Sequence, residues 1–475
     1  MKPSGLLVFL VTAAALAPAS RVLATAPAPA APAVAPVADV RLVTLKNGLR
    51  LLLAPDPAAV AVDVAVWYRA GTVHERAGIS GISHLFEHLM FAGSEHYGPQ
   101  EHNRLVQAEG GSAGAYTTPD YACYYQTVPP DALELVLKLE ADRIGSLQLT
   151  AAALETEKRV AREEKRRRAE ASPIGSAFEG LGRLAWPAHP YRWPVIGLDE
   201  DLARISLADC QAYYLDHFAP NNATMTIVGR FDPDQALQAA KHWLEPLKRR
   251  RVANDVAPAV PAQKTGRRAF ERMDVPFGLV LAGWTAPGHA DPDGPALSLL
   301  SRILTGGPAS RLKRALAGGS LRGVMVQGAL DDRADGALLY AMAVPRPGTD
   351  SASVERVLVD EVEKLAREPV GEEELERVRR QEEISTLLAW QTVRGCAEAL
   401  GSAQLLAGDW RAAALRLERV RRLTPADLQR AAARVLIAGG RNVLWVAPAK
   451  LPARVPAGSG VGGPGSGAPP AEGGH

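Results

Sequence analysis

The chain has 475 residues, of which 47% are hydrophobic and 22% are charged, and its formal net charge is +2. These values are typical of a globular protein, and the balanced charge gives no reason to expect a nucleic-acid partner. A chain of this length usually forms roughly two to four domains. The three cysteines, Cys123, Cys210 and Cys396, have neither metal-ligand spacing nor a disulfide pattern, so we expect buried free thiols.

The amino terminus has the pattern of an export signal. Lys2 precedes the apolar stretch 5–19, which is too short to span a membrane comfortably, and small residues at 22–24 suit cleavage. We therefore predict a signal peptide over 1–24 and a Pro/Ala-rich tether over 25–38. The mature protein would be periplasmic or secreted, or tethered to the membrane if the signal is uncleaved. No later stretch is apolar enough to predict a transmembrane segment in the mature chain.

Two β-type segments follow the tether. Residues 41–55 alternate between apolar and polar and contain an Asn47-Gly48 turn, which predicts a β-hairpin. An apolar strand is predicted over 60–71. It leads directly into the segment with the strongest functional signal.

That segment is 84-HLFEH-88. On a helix, His84 and His88 project from one face about 6 Å apart, within reach of a single metal ion. Glu87 lies on the same side as His84, where its carboxylate can address a metal-bound water. This is the residue set of a zinc hydrolase in the reverse order of H-E-x-x-H. The alternative interpretation is two histidines beside the core and a solvated glutamate. An apolar stripe would pack the helix inward: Ile82, Leu85, Phe86 and Leu89.

Two later segments could complete such a site. The glycine-rich stretch 111–118 suits an exposed strand edge that adds an extended peptide by backbone pairing, although it could be an ordinary strand. The charged helical segment beginning near Thr150 could supply a third ligand. In it, Glu157 and Glu164 are seven residues apart and share a face, whereas Glu163 points away by about 100°. A charge run is also typical of a solvated helix face, and we interpret Arg166–Arg168 as an exposed helix end.

The second half of the chain repeats the pattern of the first. Trp67 and Trp284 lie in similar apolar strands, and Leu207–Asp209 and Pro425–Asp427 begin similar helical segments at the same offset to within one position. A constant spacing indicates two halves with one fold. At the offset of the two tryptophans, Ser301, Leu304 and Thr305 replace His84, Glu87 and His88, so the second half has no ligands.

The predicted fold class is α+β, with two homologous α/β-sandwich halves in which helices cover a mostly antiparallel sheet. Long helical patterns occupy 131–170 and 351–400. The predicted boundaries are a zinc-binding half over 39–250, a Pro/Ala-rich linker over 251–264, a non-catalytic half over 265–449 and a disordered tail over 450–475.

Four segments resemble one known family in sequence and spacing: 78–98, 110–129, 157–164 and 216–233. The family is that of the pitrilysin/insulin-degrading-enzyme zinc peptidases with the inverted HxxEH motif, in particular its short members related to the mitochondrial processing peptidase. The resemblance covers about residues 40–450. It implies one zinc ion per chain, bound by His84, His88 and a glutamate at a family-typical distance beyond the second histidine. In this chain that distance selects Glu164, and the glutamate seven residues earlier, Glu157, orients or tunes the site.

The resemblance implies an exported metalloendopeptidase that hydrolyses peptides or unfolded segments. Glu87 would act as general base on a zinc-bound water and pass the proton to the leaving amine. The edge strand would bind substrate through Gly114, Ala115 and Tyr116. Family members typically have an asparagine where this chain has Gly114, which puts substrate affinity or specificity in question.

The resemblance also implies a partner subunit. Active members use an arginine and a tyrosine from a non-zinc half to hold the substrate carbonyl. Segment 336–348 of this chain has Tyr340, but its apolar run before Pro345 contains no arginine, and Val326 replaces a nearby aromatic residue. We therefore expect this chain to form half of a clamshell with a homologous non-zinc subunit or a second copy, and the glycine-rich segment 306–312 to lie at its mouth. The alternatives are a non-catalytic structural member of the family and a peptide- or metal-binding module.

Overall fold

The structure is a computed structural model that describes residues 39–253, 260, 262–317, 321, 324–346 and 348–449. The predicted signal peptide (1–24), tether (25–38) and tail (450–475) lie outside the described residues, as does part of the predicted linker. The described chain contains eleven strands and fifteen α-helices.

The elements of the first half are β1 (Arg41–Thr44), β2 (Arg50–Pro55), β3 (Val62–Tyr68), α1 (Ile82–Leu89), α2 (Glu101–Ala108), β4 (Ser112–Thr117), β5 (Ala122–Val128), α3 (Leu133–Ser146), α4 (Ala151–Ala171), α5 (Pro173–Ala185), α6 (Asp199–Arg204), α7 (Leu207–His217), β6 (Ala223–Gly229) and α8 (Pro233–Leu244). Those of the second half are β7 (Arg267–Met273), β8 (Leu279–Ala286), α9 (Gly294–Thr305), α10 (Arg311–Ala315), β9 (Met325–Asp332), β10 (Ala337–Val344), α11 (Ser351–Arg367), α12 (Glu372–Ala389), α13 (Val393–Ala407), α14 (Ala412–Arg422), α15 (Pro425–Val435) and β11 (Arg441–Pro448).

Each half builds one sheet, and the two sheets have the same topology. The first has the order β1-β2-β6-β3-β5-β4, and only β2 and β6 run parallel. The second has the order β7-β11-β8-β10-β9, and only β7 and β11 run parallel. Apart from the additional β1, the strands correspond one to one. The prediction of two homologous halves with mostly antiparallel, helix-covered sheets is confirmed.

The repeat extends to helix capping. At the start of α7, the Ser206 hydroxyl accepts a hydrogen bond from the Asp209 amide, and the Asp209 carboxylate accepts one from the Ser206 amide. Thr424 and Asp427 form the same capping box at the start of α15, the corresponding helix of the second half. Because a capping box fixes where a helix begins, the shared spacing reflects shared local structure.

The predicted correspondence of Trp67 with Trp284 is wrong by one residue. Trp67 lies on the face of the first sheet that α13 covers, where it packs with Leu405. Trp284 lies on the other face of the second sheet, among residues of α9. In β8 it is Gly283 that faces the covering helix α5. A shift of one residue moves a side chain to the other face of a strand, so the spacing in β8 differs by one. The conclusion for the second half stands, because α9 contains no histidine, cysteine, aspartate or glutamate in any register.

The two halves exchange one helix each. Helix α5 belongs to the first half in sequence, but its Ala177 and Leu181 pack on Leu281 and Leu444 of the second sheet. Helix α13 of the second half covers the first sheet, packing against such residues as Leu52. The outer face of each sheet is therefore buried by the other half. The domain boundaries 39–250 and 265–449 remain predictions. They divide the chain in sequence, whereas helix packing crosses them in both directions.

The close approach of α13 to the first sheet depends on Gly401. A Cβ atom at this position would lie 2.2 Å from Nε1 of the buried Trp67. We expect Gly401→Ala to lower the free energy of unfolding by about 1–3 kcal/mol, because the helix must move away or the indole must leave its position. The urea midpoint measures this effect.

Gly98→Ala is the matched control, because an added Cβ at this exposed position would have 3.7 Å to its nearest neighbour. The control should leave the midpoint almost unchanged. Equal midpoints for Gly401→Ala and the wild type would contradict the tight packing of α13.

The long predicted helical patterns are divided in the structure. Residues 131–170 form two helices, α3 and α4, and 351–400 contain α11, α12 and the start of α13. The connections 147–150, 368–371 and 390–392 are short, and of these breaks the sequence indicated only the start of a helix near Thr150. Helix α9 ends at Thr305, and Gly307, two residues later, has a φ of 94°.

Other predictions from the sequence agree with the structure. β1 and β2 form the antiparallel hairpin around Asn47-Gly48, with Gly48 at a φ of 93°. All three cysteines are buried, and none of them forms a disulfide within the described ranges. No helix in the described part of the chain is both long and apolar enough to cross a membrane.

Candidate metal centre

Two packed helices bring the predicted ligands together. Helix α1 buries its apolar stripe and carries His84, Glu87 and His88 on the face toward α4. Helix α4 begins after Thr150, whose hydroxyl accepts a hydrogen bond from the Ala153 amide. This bond fixes the start of α4, and the helix then packs against α1.

The donor atoms of the three predicted ligands converge on one point. Nε2 of His84 lies 3.6 Å from Oε2 of Glu164, and Nε2 of His88 lies 3.4 Å from the same oxygen. One donor atom from each of the three residues lies within 4.8 Å of the other two. Two imidazoles and one carboxylate form a donor set typical of a catalytic zinc site with one position left open.

The state of His84 fits a metal ligand. Only 2% of its side chain is exposed, yet neither ring nitrogen has a hydrogen-bond partner among the described residues. Burial, together with His88 and Arg168, lowers the pKa of His84 to about 3. Its imidazole is therefore neutral, with a lone pair available. A buried imidazole without partners is costly in a protein unless a ligand satisfies it, so these residues fit a bound zinc ion.

Glu157 supports the second histidine. Its Oε2 lies 3.3 Å from Nδ1 of His88, the nitrogen that faces away from Glu164. Burial opposes protonation of His88, but Glu157 and Glu164 outweigh it and raise the pKa of this histidine. A carboxylate on the second nitrogen fixes the tautomer and orientation of a metal-binding imidazole.

Glu87 lies beside this cluster but outside its donor set. Oε2 of Glu87 accepts a 2.8 Å hydrogen bond from the Thr117 hydroxyl at the end of β4. Burial raises the pKa of Glu87, while the bond from Thr117 acts in the opposite direction. A raised pKa moves a carboxylate toward the range useful for a general base at neutral pH. The bond also attaches the edge strand to the motif helix.

The sequence alone did not indicate the roles of two charged residues near the site. Arg168 forms an ion pair with Oε1 of Glu164, so the interpretation of Arg168 as part of an exposed helix end was incomplete. Its i,i+4 spacing from Glu164 was the available signal. Glu75 is buried, and its carboxylate accepts hydrogen bonds from the amides of Gly81 (2.8 Å) and Ser83 (3.0 Å). It thus caps the start of α1, which has no side-chain cap of its own.

The candidate substrate strand β4 is the last strand of the first sheet and, among the described strands, pairs with β5 alone. A Cβ atom at Gly114 would lie 2.6 Å from the Tyr125 hydroxyl, so Tyr125 already occupies the space of a side chain there. Ala115 is half-buried against the first core. The Tyr116 hydroxyl donates to Oε1 of Glu398 on α13, on the face of the sheet away from Glu87. The contribution of this segment to peptide binding would thus come from its main chain.

Tyr340 lies on the second sheet and not among the ligands. Its ring packs against Phe178 of α5, with ring centroids 4.6 Å apart. Phe178 and Arg168 both line a cavity of about 400 Å³ between α4, α5 and the segment 191–196. Because Arg168 also pairs with Glu164, this cavity begins one side chain away from the ligand cluster. Val326 is buried in the second core.

Comparison with known proteins places these observations in a family context. Residues 50–197 match the family described as Insulinase (Peptidase family M16), and residues 204–382 match the Peptidase M16 inactive domain. The zinc protease PqqE of Helicobacter pylori is 28% identical to this chain, over 71% of this chain and 77% of that protein. An uncharacterized zinc protease of Mycobacterium tuberculosis is 30% identical, over 73% of this chain and 78% of that protein.

The fold has a close counterpart among solved structures. The crystal structure of a protease from Helicobacter pylori has a TM-score of 0.80 with this chain at 25% identity. The match covers 87% of this chain and all of that one. The similarity therefore includes both halves.

Proposed function

Because the chain belongs to the insulinase family of peptidases, family M16, we propose that it is an exported zinc-dependent endopeptidase acting on peptides or unfolded segments. The observation that carries this proposal is the convergence of His84, His88 and Glu164 within 4.8 Å, with Glu87 next to them. The relatives named as zinc proteases support the metal and the class of reaction.

The proposed chemistry assigns one task to each residue. His84, His88 and Glu164 hold the zinc ion, which when bound supplies a Lewis acid for the scissile carbonyl and lowers the pKa of water. Glu87 accepts the proton of the attacking water on its carboxylate and transfers it to the leaving amine. Glu157 holds the ring of His88 in the orientation that metal binding requires.

We place the substrate along β4. The strand has one neighbour in the described sheet, so its free edge can pair with an extended peptide. The Thr117 bond brings this edge next to Glu87. The adjacent cavity of about 400 Å³ is large enough for a substrate side chain, and Phe178 gives it an apolar wall.

Completion of the site by a second subunit remains part of the proposal. Tyr340 packs within the chain against Phe178, and β10 itself contains no arginine; Arg333, in the turn before β10, lines the same cavity as Phe178 but pairs with Asp331. A homologous subunit without zinc, or a second copy of this chain, would supply the arginine and tyrosine that hold the substrate carbonyl. Export rests on the residues 1–24, which lie outside the described structure.

The test is to measure zinc content together with cleavage of a quenched peptide library, with and without a chelator. We expect zinc at about one ion per chain, from the single donor set found in the described ranges, and cleavage that the chelator abolishes and zinc restores. The assay is run with and without a co-purified homologous subunit, because the proposal has a partner complete the site. Zinc without cleavage in both arrangements would contradict the enzyme and favour a binding module, whereas absence of zinc would favour a structural role.

A further inference from the structure

Strand β4 is held in place by contacts outside its sheet. It pairs with β5 on one side, and its other edge has no partner among the described strands. An edge strand with one neighbour can move more easily than a central strand. The contacts that fix β4 from outside the sheet are thus important for any peptide that pairs with it.

The first such contact comes from α13 in the second half. The Tyr116 hydroxyl donates a 2.6 Å hydrogen bond to Oε1 of Glu398. Arg394, one turn earlier on α13, donates to Oε2 of Glu398 at 3.0 Å and lies 3.5 Å from the buried Asp63 of β3. The Arg394 guanidinium also lies over the ring of Tyr125, 3.9 Å from its centroid. Glu398 is therefore oriented by an arginine that is itself anchored in the first sheet.

The second contact holds the turn between β4 and β5. Asp120 in this turn accepts a hydrogen bond from the Tyr191 hydroxyl and another, of 3.0 Å, from the Ala334 amide in the β9–β10 turn. The amide of Asp335 in turn donates to the Tyr191 hydroxyl at 3.1 Å. The second half therefore contacts β4 near its C-terminal end, at Tyr116, and at the turn that follows it.

Neighbouring residues connect this arrangement to the candidate active site. Tyr116 points to α13 and Thr117 points to Glu87, because successive side chains of a strand face opposite sides. A shift of β4 away from α13 would also change its distance from Glu87. The position of β4 is therefore linked to the position of Glu87 through the bond from Thr117.

We propose that Glu398 is a positioning residue through which the half without ligands sets the place of the substrate strand. This inference rests on the proposed function, since it assigns β4 the task of pairing with an extended peptide. It assigns the second half a role in substrate binding that does not require any metal ligand.

The experiment uses full-length protein carrying Glu87→Gln, which keeps a bound peptide intact. Binding of a fluorescent extended peptide and amide hydrogen exchange of residues 112–117 are measured for Tyr116→Phe, Glu398→Ala and the double variant. Tyr214→Phe is the matched control, because its hydroxyl also donates a 2.6 Å hydrogen bond, to the Ile144 carbonyl, away from β4.

We expect each single variant to raise the peptide Kd by about three- to tenfold, the value of one net hydrogen bond, with zinc content unchanged. The double variant should be no worse than the single variants, because both remove the same contact. Exchange in 112–117 should accelerate in these variants and not in the control.

Unchanged exchange and unchanged Kd would overturn the proposal, as would additive effects or a parallel loss of zinc. If the parent protein binds zinc but no peptide, both alone and with the co-purified homologous subunit, the proposed function fails. Faster exchange in the variants would in that case still support the positioning of β4, so the two failures can be distinguished.

Discussion

Glu87→Gln should reduce kcat by about 100- to 10,000-fold while leaving zinc bound, because general-base catalysis contributes an effect of this size. The substitution keeps the length of the side chain and an oxygen that can accept the bond from Thr117. It removes the carboxylate that would take the proton. The donor set of His84, His88 and Glu164 does not include Glu87, so metal affinity should be almost unchanged.

The measurement is kcat and zinc content determined on the same preparation. Glu163→Gln is the control, since Glu163 lies on α4 next to a ligand but pairs with Arg166 on the exposed side. Its activity should equal that of the wild type. Loss of zinc from Glu87→Gln, or activity within a factor of about three of wild type, would contradict the role of general base.

Removal of a ligand should have a different effect from Glu87→Gln. The variant should lose zinc, and it should lose activity because the zinc is absent. We expect His84→Ala, His88→Ala and Glu164→Ala to fall below about one-tenth occupancy at zinc concentrations that saturate the wild type, since a catalytic site has only about three protein ligands. Competition with a chromophoric chelator measures the affinity. A ligand variant that kept wild-type zinc affinity would remove that residue from the donor set.

Glu157→Gln distinguishes a supporting residue from a ligand. Its carboxylate contacts Nδ1 of His88 and not the converging donor atoms, so we expect zinc affinity to fall by about 10- to 100-fold and not to vanish. Excess zinc should restore much of its activity but none of that of Glu164→Ala. Equal losses for Glu157→Gln and Glu164→Ala would contradict the division into ligand and support.

The candidate site was predictable from sequence to the extent that it depends on helix geometry. The spacing of His84, Glu87 and His88 placed them on one face of a helix, and Glu164 was selected through the family resemblance. Their assigned roles remain proposals. The family itself is confirmed by the matches over 50–197 and 204–382.

Contacts between distant segments could not be predicted in the same way. Glu75 caps α1 from a loop, and Glu398 of the second half reaches Tyr116 of the first. No local pattern encodes such pairs. The Trp67–Trp284 error has a related cause, because two tryptophans in similar apolar strands gave no sign of which face each would occupy.

Fold class followed from the alternation of strand and helix patterns, but the distribution of helices over the two sheets did not. Helix α5 has an ordinary amphipathic sequence, and nothing in its pattern tells which sheet it will cover. Packing on β8 and β11 decides the question, and that depends on the arrangement of both halves.

The exchange of α5 and α13 makes this chain an intramolecular domain swap. A fragment ending in the linker would keep α5 and lose α13, exposing Trp67 and Leu52 to water and leaving α5 without its sheet. Neither half contains the helix that covers the outer face of its own sheet, so we expect neither half to fold alone. The half without ligands is therefore part of the scaffold that holds the ligands of the other.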